Sequence, residues 1–321
     1  MPTREQQYQR VVGALQAAQR VCIITHLRPD ADAVGSATAL SHGLRQLGKE
    51  TGMYIGQLRE ISSNLMSIPG ADEIRCVRDL PEGYDLYVTV DCGSLDRTGL
   101  FSEDLEGRAD FMCIDHHSSN PGFADINLVA TECESTTVAL TKILDLLGVE
   151  MNRDIAYCLY AGLVTDTGCF RWGRPVMHDY ARRYMQFGLD TKQIAVDLID
   201  STTAEDLQMV GRVLAGLRII TAGSHTMAVL VASLHLTEGA SEAAVESLVD
   251  FVRALEGTDM GVTFKEQVPG VWAASLRSST VDCAEVAMHL DGGGHVPAAG
   301  YTTHGDVGEI INELVEVVGR I

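Results

Sequence analysis

Three short, largely apolar runs, residues 21–25, 84–90 and 111–114, each end on titratable side chains. Runs of strand length without polar alternation mark strands buried on both faces, and such strands belong to parallel sheets covered by helices. Helical patterns lie between and after them. Residues 33–47 carry apolar side chains on one face and stop at Gly48. Ser135 precedes a second pattern at 136–147, which Gly148 ends, and a third spans 155–164. This alternation predicts an α/β domain built on a mostly parallel sheet with helices on both faces.

A different pattern follows. Residues 185–217 read as helix broken by short turns. Strand signals at 226–232, 259–265 and 271–276 are then interspersed with helical ones at 241–255, 281–289 and 307–318. The last helix places Val307, Ile310, Ile311, Leu314, Val317 and Val318 on one stripe, which predicts docking on a core. A chain of 321 residues is long enough for two cores. The expected division is a first domain at 1–185, a helical connector at 186–214 and a smaller α+β domain at 215–321.

Charge narrows the partners. The chain has 44 acidic and 24 basic residues, a net charge of −20. That balance excludes a grip on long duplex nucleic acid by phosphate neutralisation, while leaving room for a short, charged ligand held locally. No apolar run approaches the length of a membrane span, and the first eight residues lack the apolar core of a signal peptide. The eight cysteines show no C-x-x-C spacing, and several lie inside apolar runs, where the residue acts as a small hydrophobe. A cytoplasmic protein without disulfides is expected, with no membrane partner.

The chemistry gathers at strand ends. The first run leads into His26, Asp30 and Asp32, the second into Asp91, and the third into Asp115, His116 and His117. The helical pattern at 155–164 leads into Asp166. Carboxyl ends of strands are where open α/β sheets bind ligands, so these groups can converge despite their separation in sequence. Any one such aspartate is more often a helix cap or a turn residue. Several brought together repel, unless some protonate or a cation neutralises them. Mixed imidazole and carboxylate ligands suit manganese, iron, cobalt or zinc better than calcium, and two divalent ions together suit phosphoryl transfer.

At these residues the chain resembles the DHH phosphoesterase superfamily. It carries H-L-R-P-D-A-D, V-D-C, D-H-H and V-T-D-T-G in the superfamily's order. S-L-R-S at 275–278 and G-G-G-H-V-P-A-A-G at 292–300 are similar to the DHH-associated C-terminal domain. Length and the short connector resemble the nanoRNase/pAp phosphatase group (bifunctional oligoribonuclease and PAP phosphatase). RecJ-type exonucleases usually carry additional modules, and family II inorganic pyrophosphatases have a different C-terminal domain.

The resemblance implies hydrolysis of short oligoribonucleotides, linear dinucleotides or 3′-phosphoadenosine 5′-phosphate by a homodimer using two divalent ions, manganese first. His26 and Asp30 would hold one ion, Asp32, His116 and Asp166 the other, and Asp91 would bridge them. A bridging hydroxide would attack. Asp115 would orient a ligand from outside the coordination shell, and His117 would face the scissile phosphate or protonate the leaving oxygen. Arg277, Ser278, Gly292, Gly293, Gly294 and His295 would contact substrate. Arg277 also stands out by count: from His225 onward there are four Lys/Arg against 14 Asp/Glu. Arg97 is a further candidate contact. A cyclic dinucleotide phosphodiesterase and a RecJ-like single-strand exonuclease are the alternative activities. A nucleotide-sensing protein on a decayed enzyme is the alternative of another class, against which all six ligand positions are intact.

Overall fold

A computed structural model describes residues 3–200, 202–253 and 255–321. Two compact units divide at residues 201 and 202. The expected connector is shared between them. Helix α7 (Thr191–Leu198) buries Ile194 in the first unit, whereas α8 (Ala204–Leu214) buries Met209, Val210 and Val213 in the second.

In the first unit, α1 (Arg4–Ala17) precedes β1 (Arg20–Thr25), α2 (Ala31–Gln46), β2 (Glu50–Ile55), β3 (Arg75–Cys76) and β4 (Leu86–Val90). There follow α3 (Ser102–Leu105), β5 (Phe111–Asp115), β6 (Ile126–Val129), α4 (Thr136–Leu147), α5 (Arg153–Asp166) and α6 (Met177–Met185). The six strands form one parallel sheet in the order β3-β2-β1-β4-β5-β6. The order reverses direction between β1 and β4, and a crevice opens beyond the strand ends at such a switch point.

The buried runs split by alternation. Val21, Ile23, Leu86, Val88, Val90, Met112 and Ile114 join the core under α1, α2, α4 and α5. Cys22, Ile24, Tyr87 and Phe111 face a smaller cluster with Phe101 and Leu105. Long helices therefore cover one face, and short turns with α3 close the other. Helix α2 is buried on nearly every side as far as Leu44, because its run of Ala, Gly, Ser and Thr lets neighbours approach. A Cβ on Gly35 would overlap the Cys158 carbonyl of α5, and one on Gly162 would overlap the Asp32 carboxylate. This close crossing brings the two helices' acids together.

Several elements gave weak sequence signals. Helix α1 is announced only by the Thr3–Gln6 capping box and the buried stripe Tyr8, Val11, Val12 and Leu15. Strand β2 contains a glycine and is only half-buried, and β6 is a four-residue edge strand.

The second unit continues with β7 (Arg218–Ala222), β8 (His225–Ala232), α9 (Leu234–Thr237), α10 (Glu242–Arg253), β9 (Met260–Val268) and β10 (Val271–Ser278). Then come α11 (Cys283–Met288), β11 (Gly293–His295), β12 (Ala298–His304) and α12 (Val307–Val318). The helix expected at 241–255 passes through Ala254, which lies outside the described residues. The sheet order is β11-β12-β10-β9-β8-β7, antiparallel except for β8 with β9. Helix α12 buries Ile310, Ile311, Leu314 and Val318 against Trp272, Ala274, Leu276 and Tyr301, as its stripe predicts. On the opposite face, α8 and α10 cover Ala228, Leu230 and Ala232, while Ala273, Ser275, Arg277, Ala298 and Gly300 stay partly exposed.

Candidate metal centre

The first unit collects its titratable groups at the strand ends on either side of the switch point. Asp91 lies at their middle, directly after β4, and is 2% exposed. Its φ of 59° puts it in the left-handed region, which Asp and Asn tolerate better than most residues. Its amide still donates to the Ile114 carbonyl (3.0 Å), so the strand ladder holds while the side chain is redirected. The carboxylate accepts the Thr136 hydroxyl at 2.8 Å. It lies 3.6 Å from His26 Nε2 and 3.7 Å from His116 Nε2.

Both imidazoles are turned by backbone carbonyls. His26 Nδ1 meets the Leu27 carbonyl at 2.8 Å, and His116 Nδ1 the Cys133 carbonyl at 3.4 Å. A ring that donates through Nδ1 keeps its Nε2 lone pair for the interior, the arrangement that metal-ligating histidines adopt. His116 Nε2 also lies 3.2 Å from Asp166, at the end of α5, and His26 Nε2 4.0 Å from Asp30.

The remaining acids are placed by helix starts. Asp30 caps α2, accepting from the Asp32 and Ala33 amides at 3.0 Å, and directs its other oxygen toward His26. Asp32 is fully buried and accepts from the Thr136 and Thr137 amides (2.7 and 3.0 Å) and the Thr137 hydroxyl (2.8 Å). The positive end of α4 thus steadies Asp32. Asp91 and His116 offer ligand atoms within 4.8 Å of it. His26, Asp30 and Asp91 form a second such set.

Asp115, fully buried at the end of β5, accepts His117 Nδ1–H at 2.8 Å on one oxygen and Asn120 Nδ2–H at 2.7 Å on the other. His117, more exposed than its neighbour His116, is therefore oriented by Asp115. Arg97, a candidate substrate contact, instead lies 3.1 Å from His26 Nδ1 through one guanidinium nitrogen.

Electrostatics mark what the set lacks. Burial, followed by the charges of Asp32, Asp30, Asp166 and Asp115, pushes Asp91 well above the usual carboxylate range. Burial and Asp32 likewise raise Asp166, and although burial disfavours the His116 cation, Asp166 holds its proton on. A bound divalent cation supplies the missing positive charge and removes the cost of keeping these carboxylates ionised. The donor set fits such ions: the buried carboxylates of Asp32 and Asp91, the more exposed ones of Asp30 and Asp166, and two histidine Nε2 atoms among them.

Sequence reasoning passed over Asn120, Thr136, Thr137 and Gly162. Their signals existed only as polar or small residues beside the motifs, without the spacing that singles out a ligand. Their roles depend on contacts that range from five residues away, for Asn120 with Asp115, to more than a hundred, for Thr136, Thr137 and Gly162 with Asp32.

In the second unit, two expected residues share one row of the sheet. His295 on β11 and Arg277 on β10 both pair with Ala298 on β12, so they project from the same face with only a methyl between them. Gly292, Gly293 and Gly294 do not form a loop: two of them lie in the edge strand β11. A Cβ on Gly292 or Gly294 would overlap the β12 backbone, which is why these positions hold glycine. Ser278 is buried on the other face. Its hydroxyl donates to the Asp259 carbonyl (2.6 Å) and accepts from the Thr280 and Val281 amides (3.0 and 2.8 Å), so it forms the turn after Arg277.

Among the described residues, no helix is long and apolar enough to cross a membrane. Comparison with known proteins agrees with the geometry. Residues 20–163 match the DHH family, N-terminal domain, and 226–320 match the DHHA1 domain. The chain is 31% identical to the bifunctional oligoribonuclease and PAP phosphatase NrnA of Thermus thermophilus, over 93% of this chain and 89% of that one. It is 24% identical to the Bacillus subtilis protein of the same name, over 90% and 91%. A crystal structure of an exopolyphosphatase-related protein from Bacteroides fragilis has the same fold, with a TM-score of 0.84 at 20% identity and coverage of 97% and 96%. RecJ from Thermus thermophilus, solved in complex with Mn2+, gives 0.54 at 15% identity, covering 99% of this chain and 54% of that one. The chain belongs to the DHH family of phosphoesterases, with a C-terminal DHHA1 domain.

Proposed function

We propose that this phosphoesterase hydrolyses short oligoribonucleotides and nucleotide 3′-phosphates such as 3′-phosphoadenosine 5′-phosphate, using two divalent ions. The convergence of His26, His116, Asp30, Asp32 and Asp166 on Asp91 carries this reading, and the names of the relatives supply the substrate class. His26 and Asp30 would hold one ion, Asp32, His116 and Asp166 the other, and Asp91 both. Bound there, the ions would offset the buried carboxylates, activate a water and stabilise charge on the phosphoryl group. Nitrogen ligands favour manganese over calcium.

The chain's own residues do the rest. His117, steadied by Asp115, stands ready to steer the scissile phosphate or give a proton to the leaving oxygen. Arg277 and His295 recognise a phosphate or nucleotide group away from the scissile bond, since a guanidinium grips phosphate in bidentate fashion. Arg97, beside His26, would contact a ligand near that half of the centre. Ser278 and the glycines shape the strands that present Arg277 and His295. The strong negative charge favours short substrates over long strands.

The test is a substrate panel with the chelated protein and added Mn2+ or Ca2+: 3′-phosphoadenosine 5′-phosphate, linear pApA, a cyclic dinucleotide, RNA of two to five nucleotides and a long single strand. Turnover that needs metal, prefers Mn2+ to Ca2+ and is greatest for the first two or the short RNA is expected. Full activity after chelation to nil metal content would overturn the metal reading, and preference for the cyclic or long substrate the substrate reading.

A further inference from the structure

Beyond Asp166 the backbone does something unusual. Gly168, Cys169 and Phe170 have φ of 53°, 60° and 62°, three successive residues in the left-handed region, two of them not glycine. Conformations of that kind persist where surrounding contacts over-determine them, and they gather at functional sites.

The contacts are specific. Trp172 donates its indole N–H to the Asp166 carbonyl at 2.8 Å. A Cβ on Gly168 would overlap the Trp172 ring, so the indole occupies the space left by that glycine. Arg171 donates to the Gly168 carbonyl at 2.6 Å and holds its guanidinium 5.0 Å from the indole. The Thr167 hydroxyl accepts the Phe170 amide at 3.1 Å. Farther on, Arg174 donates from its amide and Nε to Glu134, whose side chain is 3% exposed. Glu134 directly precedes Ser135, the cap of α4, the helix whose start holds Asp32 and Asp91. The segment is thus tied at one end to Asp166 and at the other to the helix that fixes two further acids.

Hydrophobic burial does not explain the indole. Trp172 is 36% exposed, whereas Phe170 packs against the first unit's core. An exposed ring whose polar edge binds the main chain of Asp166 is better accounted for by what it orients.

We propose that Trp172 is a positioning residue for the Asp166 half of the centre. It pins the left-handed turn and so sets the direction of the Asp166 carboxylate toward His116. This rests on the reading of Asp166 as a metal ligand. Residues that orient ligands typically contribute about 10- to 100-fold in metal affinity.

Calorimetric titration of the chelated full-length protein with Mn2+ tests this, comparing wild type with Trp172→Ala, Trp172→Phe and Asp166→Asn. Trp172→Ala should weaken one binding step by about 10- to 100-fold and leave the other unchanged. Excess Mn2+ should restore its kcat. Trp172→Phe, which keeps a ring against Gly168 but loses the N–H, should fall between it and wild type. If Trp172→Ala does not fold, the phenylalanine variant carries the test. A wild-type isotherm for the folded tryptophan variants, with one step lost in Asp166→Asn, would overturn the positioning role alone. Both steps intact in Asp166→Asn would overturn the ligand reading and the proposal with it.

Discussion

The two sheets present function in opposite ways. In the first unit, parallel strands end together, and five aspartates and three histidines reach the same place from distant parts of the chain. Several are buried and held by helix starts and backbone carbonyls. In the second unit, a mixed sheet leaves a face of alanine, serine and glycine partly open, from which Arg277 and His295 project across Ala298. One region concentrates acidic charge that a bound cation would relieve, and the other clears space around one guanidinium and one imidazole. The contrast suits a division between bond cleavage and recognition, because chemistry needs fixed geometry and recognition needs access.

The sharpest way to break this division is Asp91→Asn. Asparagine adopts the left-handed backbone as readily as aspartate, so the fold should survive. With the shared carboxylate gone, kcat should fall at least about 10²-fold on every substrate, as disruption of metal sites typically does. A folded variant that keeps more than about a tenth of wild-type kcat would remove Asp91 from the middle of the centre.

Arg277→Ala should act more selectively. Loss of a charge-assisted phosphate contact costs about 1.5–3 kcal/mol, or roughly ten- to a hundredfold in kcat/KM. The loss should appear with 3′-phosphoadenosine 5′-phosphate or a dinucleotide and hardly at all with bis-p-nitrophenyl phosphate, which offers no second phosphate. Equal losses on both, at unchanged metal content, would give Arg277 a part in the chemistry or the fold and end the division.

The smallest expected effect is that of Ser278→Ala, which probes whether the turn after Arg277 is structural. Its hydroxyl serves one carbonyl and two amides, so urea unfolding should show a loss of about 1–3 kcal/mol with little change in KM. A raised KM at unchanged stability would return Ser278 to the substrate contacts.

Much of the centre was legible because its residue types are chemically distinctive and follow directly on apolar runs. His26, Asp91, Asp115 and Asp166 each terminate a strand or helix that hydrophobic pattern alone locates. Supporting residues left no such mark. Thr136 and Thr137 are ordinary residues at a helix start until Asp32 meets them, more than a hundred residues away in sequence. The same holds for the edge strands. β6 and β11 are short and only partly buried, so little apolar patterning sets them apart, and glycine-rich β11 reads as a turn until it pairs with β12.

The sequence alone determined the class of fold, the acids and histidines that gather in the first unit, and a net charge of −20 that argues against a grip on long duplex nucleic acid. Those properties follow from local apolar periodicity, residue chemistry and total charge, which need no three-dimensional information. Tertiary structure decided the rest: the left-handed turn of Asp91, the close crossing of α2 and α5 that places Asp32 near Asp166, and the row that aligns Arg277 with His295. It also engaged Ser278 in a turn and set the Trp172 indole on the Asp166 carbonyl. Each of these depends on which residues meet across long stretches of chain, and such meetings are settled by packing, not by any local pattern.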